Sequence, residues 1–479
     1  MITLYRAALR HHLPLLLIAA AAMRIAVYFL FPGTFAFEQT GAIHGSSSFD
    51  TYAVNLINTG VYGLTPGVPD AVLPPLYSVF VAGVYALFGR SSLAIALAHT
   101  LLDVISIALL VMITRRLFPR RGHVIGGLAG VFYAVYPYLI FQNLTLIDTP
   151  LFITMLHLFV YLTVLLRQRE RFDRAAWVIA AAAGLTLGGA ALVRPVLVFL
   201  AVLLPFWFMA RLTLTQSILR LLPVAVLGLL PILPWTARNY GVYGELVMMS
   251  VTAGSNLYQG SNPDVIPLMR AGYDVQWTAP DPALIPFPPN SPAADRERSA
   301  LALKWLRENP GIIPELLWVK FLTHWSIDIF PSLNPSEGVD PSVITPGDAA
   351  ITVAPEGEIE ITGLPQGDPV AEYGGGAFAL GRVIHRYYFG ALLLLALIGV
   401  IVTVRQWRDV SLLWIAQISM TIAYMIFHPS TRYRVPTDPL LFVFSAAAIV
   451  WLIERQYRHN RPPRVSNQQL KVKETASHD

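Results

Sequence analysis

Cysteine is absent from the 479 residues, which removes disulfide frameworks, thiolate metal sites and cysteine nucleophiles together. Charge is scarce: 13% of the residues are Asp, Glu, Lys or Arg, roughly half of the share of about 25% found in soluble domains. So little charge cannot solvate the surface of a soluble chain of this length. Disorder, coiled coil and collagen-like structure are excluded by the same composition. Lysine is nearly missing, with four residues against 30 arginines. Also missing are a phosphate-binding P-loop, a zinc motif, a Gly-x-Ser-x-Gly elbow and a His-Glu-x-x-His pair. What remains is apolar, 55% of the chain. The composition reads as an α-helical integral membrane protein.

A hydrocarbon core about 30 Å thick takes about 20 apolar helical residues. Ten stretches approach that length: 13–31, 92–114, 124–141, 149–166, 175–193, 195–210, 219–235, 389–404, 410–427 and 439–453. The first stays apolar to Phe31, which favours a retained span over a cleaved signal peptide. The arginines test the count. With the N-terminus inside, 20 of the 34 cations fall in short cytoplasmic segments, 13 fall outside, and Arg24 lies within a span. Positive charge therefore lies inside at every turn, with both termini cytoplasmic. This distribution makes the basic excess a topology signal, and no nucleic-acid partner is expected. The apolar stretch 76–88 follows Pro74-Pro75 and is too short to cross, so it reads as an interfacial helix. Residues 312–330 contain Pro314, Glu315, Lys320, His324 and Asp328, as in an amphipathic surface helix.

The organisation expected is an N-terminal membrane module over 1–235, whose first outer loop spans 32–75. A large outer loop over 236–388, closing helices over 389–454 and a basic tail over 455–479 follow. The large loop has a helix stop at Asn309-Pro310-Gly311. Its segment 331–376 holds eight acidic residues and no Lys or Arg, and 351–354 with 359–362 suggest a small hairpin across a turn. No internal repeat is apparent, which weakens an inverted-repeat transporter architecture.

The informative polar residues lie on the outer side. Asp50 sits in a short amphipathic helix closed by Gly60, where a carboxylate commonly complements the helix N-terminus. Asp148 lies at the outer end of the third span, where it could cap the fourth. Arg24 is inside the first span, where a charge costs about 2.5–3.5 kcal/mol, and Asp103 in the second span would neutralise it. Arg194, Arg238, Arg432 and Arg434 map to outer span ends. There a guanidinium suits a phosphate, or snorkels to lipid headgroups. The segments 234–240 and 428–436 gather polar and aromatic residues where the chain leaves the bilayer, a setting for an amphiphilic phosphate with its tail in lipid.

These residues resemble the GT-C membrane glycosyltransferases that use polyprenyl-phosphate sugars, in particular the bacterial protein-mannosyltransferase-like proteins and aminoarabinose transferases. The likeness runs through Asp50-Thr-Tyr-Ala-Val-Asn-Leu, Gly60, Pro74-Pro-Leu-Tyr77 and Leu87-Phe-Gly89 of the first loop. It continues through Leu101-Leu-Asp103, Arg115-Arg-Leu-Phe118 and Asp148-Thr-Pro-Leu. Later come Pro234-Trp-Thr-Ala-Arg-Asn-Tyr240, Asn256-Leu-Tyr-Gln-Gly-Ser-Asn-Pro263 and Arg432-Tyr-Arg-Val-Pro436. Roughly residues 24–451 are covered, by motifs loose one at a time and specific in their order and spacing. Some relatives place an acidic residue or a lysine immediately before the Pro-Pro pair. Here the stretch is Asp70-Ala-Val-Leu-Pro74, and the acidic insert has no counterpart.

The resemblance implies a GT-C-like bundle of about ten transmembrane helices in the cytoplasmic (inner) membrane of a bacterial-type cell, with its active site facing outside. It implies inverting transfer of a sugar from a polyprenyl-phosphate donor to a hydroxyl of a glycan, lipid or protein. Asp50 takes the base role and Asp148 orients donor or acceptor. Arg238, Arg432 and Arg434 are phosphate-clamp candidates, with Arg194 and Arg24 behind them. Tyr77, Asn239, Asn256, Tyr258, His428 and Tyr433 complete the substrate-binding set. No cofactor and no catalytic metal are expected. Two other readings use similar outer arginines: a transporter or flippase of lipid-linked sugars, and a glycan ligase with a diphosphate-linked donor.

Overall fold

The computed structural model describes residues 2–31, 35, 37, 47–333, 350–354, 357–362 and 376–459. Most of 32–46, most of the acidic insert and the tail beyond 459 lie outside the described residues.

A helix lies at each of the ten expected spans, and their ends differ from the expectation for identifiable reasons. The stretch 124–141 is two helices, Gly122–Ala134 and Pro137–Gln142. Pro137 has no amide hydrogen to continue the ladder and holds Tyr136 in an extended conformation. Gly122–Ala134 and Leu197–Met209 have 13 residues each, about 20 Å at 1.5 Å per residue, short of the bilayer core. Other helices overrun it. The seventh expected span extends to Leu214–Tyr243, starting from a Thr213–Gln216 capping box and running through Pro223, Pro231 and Pro234. The eighth starts early, as Gly376–Thr403.

Among the described residues seven stretches are long and apolar enough to cross a membrane, and one of these, Leu380–Ile426, joins two of the helices through a 3-10 turn at Val404–Gln406. Pro75–Phe88 is a separate 14-residue apolar helix, as its length and leading prolines predict.

Small residues set the helix spacing. Arg174–Ala191 packs along Leu214–Tyr243 through Gly184 and Gly188. A Cβ on Gly184 would stand 2.7 Å from the Val224 carbonyl oxygen, and one on Gly188 would overlap that of Gly228. This backbone-on-backbone approach is the small-xxx-small packing of membrane helices. Charge inside the bundle is neutralised in place. Arg24 donates to Asp103 at 2.5 Å and to the carbonyls of Ala20 and Ala134. Asp103 also accepts from Tyr133 at 3.0 Å and Asn143 at 2.7 Å. Both charges are fully buried. Removing one partner of such a pair costs about 3–5 kcal/mol, so this network ties the first, second and third expected spans together.

The long segment between the helices Leu214–Tyr243 and Gly376–Thr403 has its own apolar cluster, with Val265, Leu268, Val275, Leu316 and Phe330 at its centre. The helix Pro292–Glu308 stops at Asn309 as expected. The surface helix is shorter than its expected range, Ile313–His324. The hairpin forms as an antiparallel pair, Ala350–Val353 with Ile359–Thr362.

Candidate active site

Asp50 is the fourth residue of the helix Ser47–Thr59, which ends where Gly60 takes a positive φ of 72°. Its carboxylate does more than complement the helix N-terminus. Tyr85, from Pro75–Phe88, donates to Oδ1 at 2.6 Å. Arg90 donates Nε to Oδ1 at 3.0 Å and Nη2 to Oδ2 at 2.9 Å. Gly89, at φ 73°, closes the preceding helix in a backbone shape that a side chain resists, and so delivers Arg90. The Arg90 guanidinium also lies 4.1 Å from the centre of the Phe37 ring.

The rest of the first loop is tied to the long helix behind it. Arg238 donates at 2.6 Å to the carbonyls of Asp70 and Tyr62 and lies over Trp235. The neighbouring Asn239 holds the Val247 carbonyl at 3.0 Å. Asp70 accepts from Tyr52 and from the amides of Leu64 and Val72. Asp70 therefore closes its own loop, while Arg238 and Asn239 brace loops against the helix.

The second carboxylate, Asp148, occupies the N-cap position of Thr149–Gln168 without capping it through its side chain. It forms instead a buried two-pronged pair with Arg194, 2.7 Å from Nε and 2.5 Å from Nη2. Arg194 also reaches Thr149 Oγ1 at 2.9 Å, and its Nη1 is buried without an acceptor. Arg432 lies within electrostatic reach of Asp148. Half-buried, its guanidinium has no carboxylate or hydrogen-bond partner among the described residues, and its Nε is shut away from solvent.

Aromatic side chains wall this area. Tyr424 and Tyr433 stack at 4.6 Å, His428 meets Tyr433 edge-on at 5.4 Å, and Tyr138 lies within reach of Arg432 and Arg194. Gln276 donates to the Tyr433 hydroxyl at 3.1 Å. Burial pushes the Asp274 carboxyl up to about 6, against the opposing pull of the Gln276 amide and Arg432. Tyr77 lies within electrostatic reach of Asp148 and of Tyr85, the residue that holds Asp50, with its hydroxyl 3.1 Å from His99.

The Asn256–Pro263 motif reaches this wall through its backbone. Gly260 packs so closely on the Phe427 carbonyl that a Cβ would overlap it. The Lys320 amine donates to the carbonyls of Met425 and Ile426 at 3.0 and 3.4 Å. Burial draws that amine down to about 7, and burial with Lys320 and Arg432 nearby draws His428 down to about 3. Tyr258 is half-buried, its carbonyl held by Asn262 at 2.8 Å, and Asn256, two residues before it, is half-buried as well.

Of the five arginines expected to hold phosphate, Arg194 and Arg432 meet at Asp148. Arg24 is sealed in the bundle. Arg434 is fully buried, paired with Asp438, bonded to the carbonyls of His324 and Ser326, and placed 3.7 Å over Phe389. Arg238 serves the first loop. No group of three or more His, Asp or Glu side chains among the described residues has the arrangement of a metal site.

Residues 72–237 match the family model of the dolichyl-phosphate-mannose-protein mannosyltransferases. Among solved structures, the chain superposes on an archaeal oligosaccharyltransferase, AglB from Archaeoglobus fulgidus, in complex with an inhibitory peptide and a dolichol-phosphate. That match has a TM-score of 0.50 at 13% identity, and covers 98% of this chain and 54% of that one. The same enzyme tethered to an acceptor peptide matches at 0.50 and 13%, over 94% of this chain and 50% of the other. The chain has a GT-C-type fold.

ArnT from Cupriavidus metallidurans, bound to undecaprenyl phosphate, aligns at 15% identity over 90% of this chain and 76% of that one, with a TM-score of 0.37. No curated protein matches in sequence. The chain thus spans about half the length of the archaeal enzyme it superposes on. Within the GT-C-type fold, the mannosyltransferase-like segment contains Tyr77, Tyr85, Arg90, Asp148 and Arg194, while Asp50 and Arg432 lie outside it.

Sequence reasoning missed Arg90, Tyr85, Gln276 and Asp274. Arg90 carried one signal, a lone outer cation directly after a helix-ending glycine. The other three gave none, since each acts through a contact distant in sequence.

Proposed function

We propose that the protein is a membrane glycosyltransferase that moves a sugar from a polyprenyl-phosphate donor to a hydroxyl of a glycan, lipid or protein. The observation that carries this reading is Arg432, a half-buried guanidinium with no ion-pair or hydrogen-bond partner among the described residues, beside the Asp148–Arg194 pair. A buried cation without a partner is costly, and a phosphate supplies the missing charge. The family match and the shared fold support the same chemistry.

In this reading Asp50 takes the proton of the acceptor hydroxyl, and the acceptor oxygen attacks the anomeric carbon. The bond to the phosphate oxygen breaks on the opposite face, which inverts the anomeric centre. Polyprenyl phosphate leaves as an anion and needs no protonating acid. Arg432 and the Nη1 of Arg194 receive its charge, and Tyr77 lines the path between base and phosphate. One uncommitted guanidinium and one further N–H match a single phosphate better than a diphosphate. No metal is assigned a role, and the donor is a substrate, so no cofactor is needed. We place the protein in the cytoplasmic membrane of a bacterial-type cell with the site facing outward, because the cations gather on the other side.

The purified protein, given a panel of polyprenyl-phosphate sugars, should release polyprenyl phosphate in the presence of its acceptor. Asp50→Asn should slow transfer by about 10²–10⁴-fold, the usual worth of a general base, while donor binding persists. A chelator should leave the wild-type rate unchanged. Wild-type turnover in Asp50→Asn would overturn the assignment of the base.

A further inference from the structure

The hydrogen bonds at Asp50 are divided unequally between its two oxygens. Oδ1 accepts from both Tyr85 and Arg90 Nε, at 2.6 and 3.0 Å. Among the described residues Oδ2 accepts from Arg90 Nη2 alone, at 2.9 Å. A carboxylate oxygen has about two lone-pair sites, so Oδ1 is saturated and Oδ2 keeps one open. The planar guanidinium fork fixes the carboxylate plane and therefore the direction of that lone pair.

We infer that Oδ2 is the atom that takes the acceptor's proton, and that Arg90, with Tyr85, is the positioning residue that aims it. The inference rests on the reading of Asp50 as the base. The O–H bond of the acceptor breaks as its oxygen attacks the sugar, and the proton passes to the open lone pair of Oδ2. Asp50 becomes neutral without moving, since three donors already hold it. Arg90 follows the C-terminal end of the helix Pro75–Phe88, 40 residues along the chain from Asp50, so the base is aligned only when the first loop has folded onto that helix.

A structural role alone predicts little for this pair. The Arg90 side chain is 43% exposed, and an ion pair with so exposed a partner contributes about 0–1 kcal/mol. Arg90→Ala should therefore fold, span the membrane and bind donor. Its loss frees the carboxylate to rotate, and a misplacement on the order of 1 Å can cost about 10²-fold in rate.

The test is steady-state kinetics of wild type, Arg90→Ala, Arg90→Lys and Tyr85→Phe, with and without millimolar guanidinium. The expected result is a kcat lowered by about 10²-fold in Arg90→Ala with the donor KM unchanged. Added guanidinium should restore part of that loss in Arg90→Ala and nothing in Asp50→Asn. Lysine, which offers one point charge in place of a fork, should recover less than guanidinium does. Tyr85→Phe should lose less than Arg90→Ala, since it removes one donor of three. A raised donor KM at unchanged kcat would make Arg90 a phosphate ligand and overturn the inference. Unchanged kinetics in Arg90→Ala would overturn it as well. Activity in Asp50→Asn would instead remove the base reading itself, whatever Arg90 does.

Discussion

Arg432 and Arg434 are two residues apart and have opposite fates. Arg434 lies in the core, with a carboxylate one helical turn on and two carbonyls to bond. Arg432 has Tyr433 beside it, 5.8 Å from the ring centre, and no counter-ion. If Arg432 binds donor phosphate, Arg432→Gln should raise the donor KM by about 10-fold or more. That follows from about 1.5–3 kcal/mol for a hydrogen bond to a charged group, with about 1.4 kcal/mol per decade. The folded yield should stay near wild type, because that guanidinium gives up only its contact with the Tyr433 ring and no hydrogen bond or ion pair among the described residues. The comparison is Arg434→Gln, which should fail in stability, seen as lost monodispersity in detergent, before any question of affinity arises. The sequence marked both arginines alike, because it assigns both to the expected outer end of a span. It held one hint of the difference, the four-residue spacing from Arg434 to Asp438, which is that of a helical pair. For Arg24 the sequence offered Asp103, the one carboxylate placed like it within a span, whereas for Arg238 no hint exists, since the carbonyls it binds come from elements far along the chain.

At the scale of elements, local signals were legible and lengths were not. Gly60, Asn309 and the turn between the two short strands end or join their elements where the sequence predicts. Span ends were missed because a helix that leaves the bilayer need not stop. Leu214–Tyr243 continues into the outer loop and carries Arg238 and Asn239 to their loop contacts. The spacing of that helix from Arg174–Ala191 is fixed by Gly188 against the Gly228 carbonyl. Gly188→Leu should therefore force the two helices apart and destabilise the fold by about 1–3 kcal/mol. A lowered thermal transition in detergent would show it. Gly127→Leu, at a helical position with nothing within 4 Å of its Cβ direction, should leave the transition in place. Equal shifts in both variants would show that helix propensity, and not the close approach, is what Gly188 supplies.

For the molecule as a whole, the few charges say more than the many apolar residues. A span that is apolar on every side gives no periodic stripe from which its neighbours can be read. The pairing of Arg24 with Asp103 was legible, because a charge within a span demands an opposite one, but the meeting of Arg432 with Asp148 had to come from the folded bundle. Sidedness, by contrast, is an expectation drawn from the sequence, with 20 of 34 cations in the short segments assigned to the cytoplasm. The placement of the site depends on that assignment, because Asp50, Asp148 and Arg432 all follow from it to the outer face. The missing cysteines make it directly measurable, since an introduced thiol is the sole thiol in the chain. Ala300, exposed in the helix Pro292–Glu308, should face outward, and Ala175, exposed in the first turn of Arg174–Ala191, should face the cytoplasm. A membrane-impermeant maleimide should label Ala300→Cys in intact cells, and label Ala175→Cys only after the membrane is opened. The reverse pattern would turn the whole bundle over and put the base and the phosphate cradle on the cytoplasmic face, where the donor would have to be consumed on the side opposite to the one proposed. Equal labelling of both before opening would mean that the spans do not seal the chain across the bilayer in this order.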